Sequence, residues 1–244
     1  MVGEDGDEAR PPSQTDVVIQ GIKDMILDGR LRAEDRLPVE KDLAALLDVS
    51  RGSLREGVRA LVMLGVLETR QGDGTYVTSL DPERLLSPLG LLADLQRPAN
   101  AVHLLGVRRV LEGEAAALAA ARIDAETLSA LEVILDRTEQ LAGDGNGNLE
   151  AFIDADSEFH RRIADASGNP ALAGLVSTIV GRTFRTRLWR AISDRGVVQS
   201  THDEHRAILA ELSRHDSDRA RLRMTLHILG VEEYVSDHAP ESAD

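Results

Sequence analysis

The chain has 244 residues, enough for one large domain or two ordinary ones, and a formal net charge of −14. Aromatic residues make up only 2 %, so Leu, Ala, Val and Ile must fill the core, which favours closely packed helices. The absence of cysteine excludes disulfides and thiolate-bound metals. With no signal peptide and no apolar run long enough to cross a bilayer, a reducing cytoplasm is the expected compartment and no membrane partner is expected.

The acidity is unevenly spread. Residues 1–13 carry four acids and one base, residues 14–79 eleven acids and nine bases, and residues 80–244 carry 27 acids and 18 bases. A near-neutral front part can bind nucleic acid if its cations are gathered on one face, because the local field at the contact decides.

Residues 1–13 are polar, with Gly and a Pro pair, and predict a disordered tail. A first helix is predicted over Asp16–Asp28, with Val18, Ile19, Ile22, Ile26 and Leu27 on its buried face and Gly29 ending it in the left-handed conformation. A second begins at Pro38 and buries Leu43, Ala44 and Leu47. A third runs from Ser50, a good N-cap, to Leu64, and Gly65 stops it. Its buried stripe is Leu54, Val58, Leu61 and Val62. Arg51, Arg55 and Arg59 recur at i, i+4 as a cationic ridge beside that stripe. Val66–Arg70 and Thr75–Thr78 then read as two strands, with Gly72 and Gly74 allowing a tight turn whose N–H groups can approach a phosphate. A short helix with one dry side and an arginine ridge, entered through a tight turn, fits the major groove of DNA.

After Asp81-Pro82 only helices are predicted, at about 82–94, 100–122, 124–142, 149–166, 170–192, 200–214 and 217–236, with fraying past Asp237. Gly143–Gly147, Ser167–Pro170 and the turn at Arg214–Ser217 set the breaks. In the helix 149–166, Phe152, Phe159 and Ile163 share a face, and Asp156 and His160 sit in its middle. A carboxylate there is costly unless paired. His205 lies among Ile208, Leu209 and Leu212, and His227 among Ala220, Met224, Val231 and Tyr234. One such histidine is more often a satisfied core residue than a ligand. Three with an Asp, projecting from separate helices, make a nitrogen and oxygen set suited to Zn, Ni or Mn. Spacing alone leaves both readings open, and His202, one turn before His205, competes with it. His103, His215 and His238 read as bystanders near helix ends or in the tail.

Leu37-Pro38, Glu40, Leu43-Ala44, Val49-Ser50-Arg51, Leu54-Arg55-Glu56, Arg59-Ala60-Leu61, Gly65 and Gly72-x-Gly74-Thr75-x-Val77 together resemble the winged helix-turn-helix of GntR-type bacterial regulators. The resemblance implies DNA contacts at Lys41, Ser50, Arg51, Ser53, Arg55, Gln71 and Gly72, with the two arginines after the turn reading guanine edges. The chain departs from it at Gly52, where many members have Thr or Ser, and at Lys41, where many have Arg. The stretches DSEFHRRIADASGNP, EHRAIL and MTLHI resemble the effector domain of the FadR branch, an all-helical antiparallel bundle in which many members hold a divalent metal.

That resemblance implies metal ligands at Asp156, His160, His205 and His227 and a small organic acid as effector. GVRRVLEGEAAALAA resembles an early helix of that domain and places Arg108 toward the pocket, where it either binds the acid or pairs with Glu112 at i+4. One arginine among Arg182, Arg185, Arg187 and Arg190 can also face it. The implied organisation is a tail over 1–13, a winged helix over 14–80, a helical effector-binding and dimerisation domain over 81–237 and a tail over 238–244. The implied function is that of a transcriptional regulator, by default a repressor, that binds a palindromic operator as a homodimer and is not an enzyme. A metal-dependent hydrolase fused to a DNA-binding domain is the alternative, since Asp plus three His can activate water.

Overall fold

In the computed structural model the described residues are 12–94, 101–143, 148–183, 187, 191–192 and 196–238. The chain forms two compact units, Met1–Leu85 and Leu86–Asp244. The first is helical with one β-hairpin, and the second, among its described residues, is all helical.

The first unit starts with α1 (Gln14–Leu27). Residues 1–11 of the expected tail lie outside the described residues, whereas Ser13 is ordered as the helix N-cap. Its hydroxyl accepts from Asp16 N at 3.1 Å, and Asp16 accepts in return from Ser13 N at 2.9 Å. This reciprocal box starts the helix two residues before Asp16. Val18, Ile22 and Met25 are the buried stripe, and Leu27 is 74 % exposed, contrary to its expected place in the core. Adjacent Ile26 and Leu27 cannot share one narrow stripe, and Met25 completes the 3.6-residue period. Gly29 takes the left-handed conformation, φ +79°, as expected.

The second helix, α2 (Glu40–Leu46), begins two residues later than Pro38. Arg36 forms a β-bridge to Tyr76, and Leu37 N donates to Thr75 O at 2.8 Å. Residues leading into Pro38 are therefore extended against the hairpin, a long-range pairing that no local pattern announces. Asp48, at φ +53°, turns the chain into α3 (Arg51–Met63), and the Ser50 hydroxyl caps it by accepting from Ser53 N at 3.0 Å. Leu54 and Leu61 are buried, with Val58 and Val62 packed beside them. β1 (Leu67–Arg70) and β2 (Gly74–Val77) pair antiparallel, Leu67 opposite Val77 and Arg70 opposite Gly74. Thr78 falls just outside the strand and closes its base, donating from its hydroxyl to Gly65 O at 2.8 Å.

Two glycines of α3 have opposite surroundings. A Cβ on Gly57 would stand 2.5 Å from Val18 Cγ1, so the α3 backbone packs directly on the Val18 side chain of α1. A Cβ on Gly52 would meet only Ser50 Oγ, at 3.6 Å. Gly57→Ala should destabilise the chain by about 1–3 kcal/mol through overpacking. Gly52→Ala should stabilise it by up to about 1 kcal/mol through helix propensity. Urea unfolding of the two variants checks both signs.

α4 (Pro82–Leu86) and α5 (Leu89–Asp94) replace the single helix expected over 82–94. The break falls at Ser87-Pro88, where proline lacks a donor and crowds the preceding turn. The second unit continues with α6 (Ala101–Ala120), α7 (Ala125–Gly143), α8 (Leu149–Ala166) and α9 (Pro170–Arg182). It closes with α10 (Val197–Ser213) and α11 (Ser217–His238). The helix expected to reach 192 ends at Arg182. Beyond it Arg187, Ala191 and Ile192 are helical, and 184–186, 188–190 and 193–195 lie outside the described residues. The core is aliphatic apart from Phe159, centred on that ring with Leu131, Leu135, Ile163, Ile208 and Ile228. α6 and α11 run antiparallel, with Gly106 beside Glu232 and Gly113 against Thr225, where a Cβ would stand 2.7 Å from Thr225 Oγ1. No helix among the described residues is long and apolar enough to cross a membrane.

Candidate nucleic-acid interface and metal centre

In the first unit Lys41, Ser50, Arg51, Arg55, Gln71 and Gly72 are exposed, and Ser53 is half-buried, its hydroxyl 2.9 Å from that of Ser50. Arg51, Arg55 and Arg59 follow one exposed line of α3. Arg55 also has a partner the sequence did not suggest. Its Nε donates to both Glu40 oxygens at 3.0 Å, and its Nη2 to Glu40 Oε2 at 2.8 Å. Those hydrogen bonds hold the Glu40 carboxyl below its ordinary pKa and raise that of Arg55. Both groups face water, so the pair orients Arg55 more than it stabilises the fold.

The second unit gathers four buried side chains from three helices. Asp156 and His160 come from α8, one turn apart, His205 from α10 and His227 from α11, and one ligand atom of each lies within 4.8 Å of all the others. His205 Nε2 is 3.2 Å from His227 Nε2, and Asp156 Oδ1 is 3.5 Å from His205 Nε2 and 3.9 Å from His160 Nε2. His160 Nε2 is buried without a hydrogen-bond partner. An orphaned donor or acceptor in a dry interior is costly, and a cation at the centre would satisfy it. The set fits a divalent ion on that observation and on its donor chemistry.

Two carboxylates flank the imidazoles. Glu112 Oε2, from α6, lies 2.5 Å from His160 Nδ1, and Glu204 Oε2 lies 2.7 Å from His227 Nδ1. The hydrogen bond of Glu204 to His227 Nδ1 fixes the tautomer that leaves its Nε2 free for an ion, and Glu112 approaches His160 Nδ1 from the corresponding side. Burial alone would push Glu112 up, but Arg108 and His160 outweigh it and hold its carboxyl well below the usual range. Burial pushes His227 down to about 4 against the pull of Glu204, and burial and the neighbouring imidazole of His227 push His205 well below its ordinary value. Both rings are therefore neutral at pH 7, the form that ligates.

The same shifts set a pH dependence. Between about pH 6.5 and 4 the unfolded chain takes up protons at these two positions and the folded chain does not. Their contribution to stability is thus present above about 6.5 and is lost as pH falls toward 4. Melting curves of chelator-treated protein across that window should show a falling melting temperature, and His227→Gln should flatten the slope.

Arg108 takes the ion-pair role of the two expected for it. Its Nε donates to Glu112 at 2.5 Å and its Nη1 to Thr183 Oγ1 at 2.9 Å, while Nη2 is buried without a partner. Arg187 pairs with the second oxygen of Asp156 and donates to Ser157 Oγ at 2.8 Å and Val180 O at 2.9 Å. Of the four crowded arginines it is the one described here, since Arg185, Arg190 and the side chain of Arg182 lie outside the described residues. Both guanidiniums border a cavity of about 20 Å³ beside Asp156, Thr201 and His227, room for one water molecule.

His202 stands apart from the four. Its Nδ1 is 3.1 Å from Thr138 Oγ1, and its Nε2 accepts from Arg206 at 3.4 Å. His215 Nδ1 bonds Ala120 O at 2.8 Å, and His103 is exposed. The sequence reading missed Glu204, an ordinary-looking acid next to His205 that reaches across to another helix, and the approach of Glu112 to His160.

A near-neutral unit with an arginine-bearing helix beside a hairpin, joined to a helical unit with a buried polar centre, defines a DNA-binding regulator with a separate helical domain. Comparison with known proteins agrees. The model of the gntR family of bacterial regulatory proteins matches residues 14–77, and that of the FCD domain matches residues 103–230. The chain is 32 % identical over 222 residues to the HTH-type transcriptional regulator LutR of Bacillus subtilis, covering 89 % of this chain and 99 % of that one. It is 34 % identical over 184 residues to the Glc operon transcriptional activator of Escherichia coli, covering 74 % and 70 %. The solved structure of Streptococcus agalactiae GntR superposes with a TM-score of 0.69 at 28 % identity, over 90 % of this chain and 99 % of that one. The protein belongs to the GntR family of transcriptional regulators, with a FadR-type C-terminal domain. These relatives are transcriptional regulators and not enzymes, and the metal-dependent hydrolase alternative falls with that.

Proposed function

We propose that the protein is a cytoplasmic, ligand-responsive repressor that binds a palindromic operator as a homodimer. Lys41, Ser50, Arg51, Ser53, Arg55, Gln71 and Gly72 contact the DNA. Half-sites one helical turn apart, roughly 34 Å, let both recognition helices dock. The helical domain holds a divalent ion, Zn, Ni or Mn, at Asp156, His160, His205 and His227. A small carboxylate takes the free N–H of Arg108 and the ion's open positions when the adjoining cavity, sized for one water molecule without it, widens to admit it, and its binding alters operator affinity. A tenfold change needs only about 1.4 kcal/mol of differential binding.

The observation that carries this reading is the convergence of four buried ligand atoms beside a cavity bordered by two guanidiniums. Arg108 is paired with Glu112 and Arg187 with Asp156, but Arg108 Nη2 is buried without a partner and suits a carboxylate oxygen. The relatives include both the Glc operon activator and a repressor, NanR of Cronobacter sakazakii, so the sign rests on a physical argument. Occupying an operator is sufficient to block transcription, whereas activation needs a further contact.

A thermal-shift screen of small organic acids, with and without Zn, Ni and Mn, tests the site. Stabilisation by one acid that requires one of these ions supports the reading. An acid that stabilises equally after chelation would mean that binding does not use the ion. Chelation should lower acid affinity far more than operator affinity, and the reverse ranking counts against a sensory role.

A further inference from the structure

The groove between α3 and the hairpin, about 500 Å³, is lined by three guanidiniums, those of Arg36, Arg55 and Arg59, together with Glu40, Gly74 and Thr75. Arg55 and Arg59 arrive there by helical periodicity. Arg36 does not, because it lies in the segment before α2, and only the backbone bridge to Tyr76 carries it to the hairpin. From there its side chain crosses the hairpin tip. Nη2 donates to Asp73 O, and Nη1 stands 3.8 Å from Asp73 Oδ1. A Cβ on Gly74 would lie 2.7 Å from Arg36 Nε, so glycine keeps that path open. The Arg36 side chain is still 56 % exposed. Asp73 divides its carboxylate, since Oδ2 accepts from Tyr76 OH at 2.7 Å. A guanidinium has five N–H donors in a planar fork, and Asp73 uses only part of it.

We propose that Arg36 is a DNA-backbone contact: with Arg59 it grips a phosphodiester between the recognition helix and the wing, and Asp73 keeps it extended across the tip until DNA arrives. This rests on the winged-helix interface and is independent of the metal centre. The ligand group is phosphate and not a base edge. Arg51 and Arg55 occupy the first turns of α3, from which bases are read, whereas Arg36 stands on the wing side of the groove. A contact there sets the seating of the wing on the duplex and carries no sequence information.

The test uses the full chain and two probes: a duplex selected by the wild-type protein from a random pool, and a scrambled duplex of equal length. Affinities are read by fluorescence anisotropy over a salt series. Arg36→Gln should weaken both duplexes by a similar factor, about tenfold at low salt, and reduce the log–log salt slope by about 1. Asp73→Ala, which frees the guanidinium and removes a negative charge from the tip, should tighten both. Arg36→Lys keeps the charge and should keep most of the slope. If Arg36→Gln and Asp73→Ala both weaken binding with an unchanged slope, Arg36 is only a clamp for the hairpin and the proposal is overturned. A loss confined to the selected duplex would overturn it too, in favour of base reading. Melting temperatures accompany each variant, and a slope that Lys retains and Gln loses supports the phosphate contact even where Gln lowers stability.

Discussion

Arg55→Ala should weaken binding to the selected operator by about 1–3 kcal/mol and narrow its margin over a scrambled duplex. Arg51→Ala should do the same, and the two losses differ for a reason visible in the unbound protein. Arg51 leaves little behind when truncated. Arg55 leaves Glu40, whose carboxylate accepts three donor contacts from it. Without Arg55 that acid stays ionised at neutral pH and stands in the groove lined by Arg36 and Arg59, where it repels phosphate. Arg55→Ala is therefore the costlier change. Restoring Arg55→Ala with Glu40→Ala should recover part of the loss on both duplexes but none of the discrimination, since the base-reading fork is still missing. Anisotropy titrations of the four proteins form a double-mutant cycle that separates the two contributions. Equal operator and scrambled-duplex affinities for wild type and both arginine variants would reject the recognition-helix assignment.

His205→Ala combined with His227→Ala should bring bound divalent ion to near zero. It removes the ligands of α10 and α11 and leaves Asp156 and His160, two groups on one helix, too few to hold the ion in place. Elemental analysis after gel filtration reads this directly, and full occupancy would put the ligands elsewhere. A milder variant examines the outer carboxylates. Glu204→Gln should lower ion affinity by about 10–100-fold, because the amide can present its N–H₂ to His227 Nδ1 and so favour the wrong tautomer. Glu204 is 44 % exposed, so the change should cost little stability. Glu112→Gln is less clean, since it strips a buried charge from Arg108 and destabilises for that reason alone.

Much of this architecture could be read from local pattern. Ser50 announces α3 through its hydroxyl, Gly29 and Gly65 mark helix ends, and Asp156 and His160 stand out as polar groups in an apolar stripe. What could not be read depends on distant chain. The late start of α2 follows from Arg36 and Leu37 pairing with the hairpin. Leu27 looks like core by hydrophobicity, but the 3.6-residue period running from Val18 through Ile22 selects Met25 and leaves Leu27 exposed. The break at Pro88 was legible in principle, and the apolar run on either side of it concealed it. Glu204 lies one residue from His205 in sequence yet serves a ring on another helix, and Arg187 was one cation among four until the fold set it against Asp156.

The glycine seam between α6 and α11 bears on how a signal leaves the centre. At Gly113 the backbone of one rod rests directly on the Thr225 side chain of the other, and close-packed matter resists sliding. Arg108 and Glu112 ride on one rod and His227 on the other. If an acid binds at Arg108 as proposed, a displacement of α6 is expected to reach His227 through this contact, so that the two rods move together.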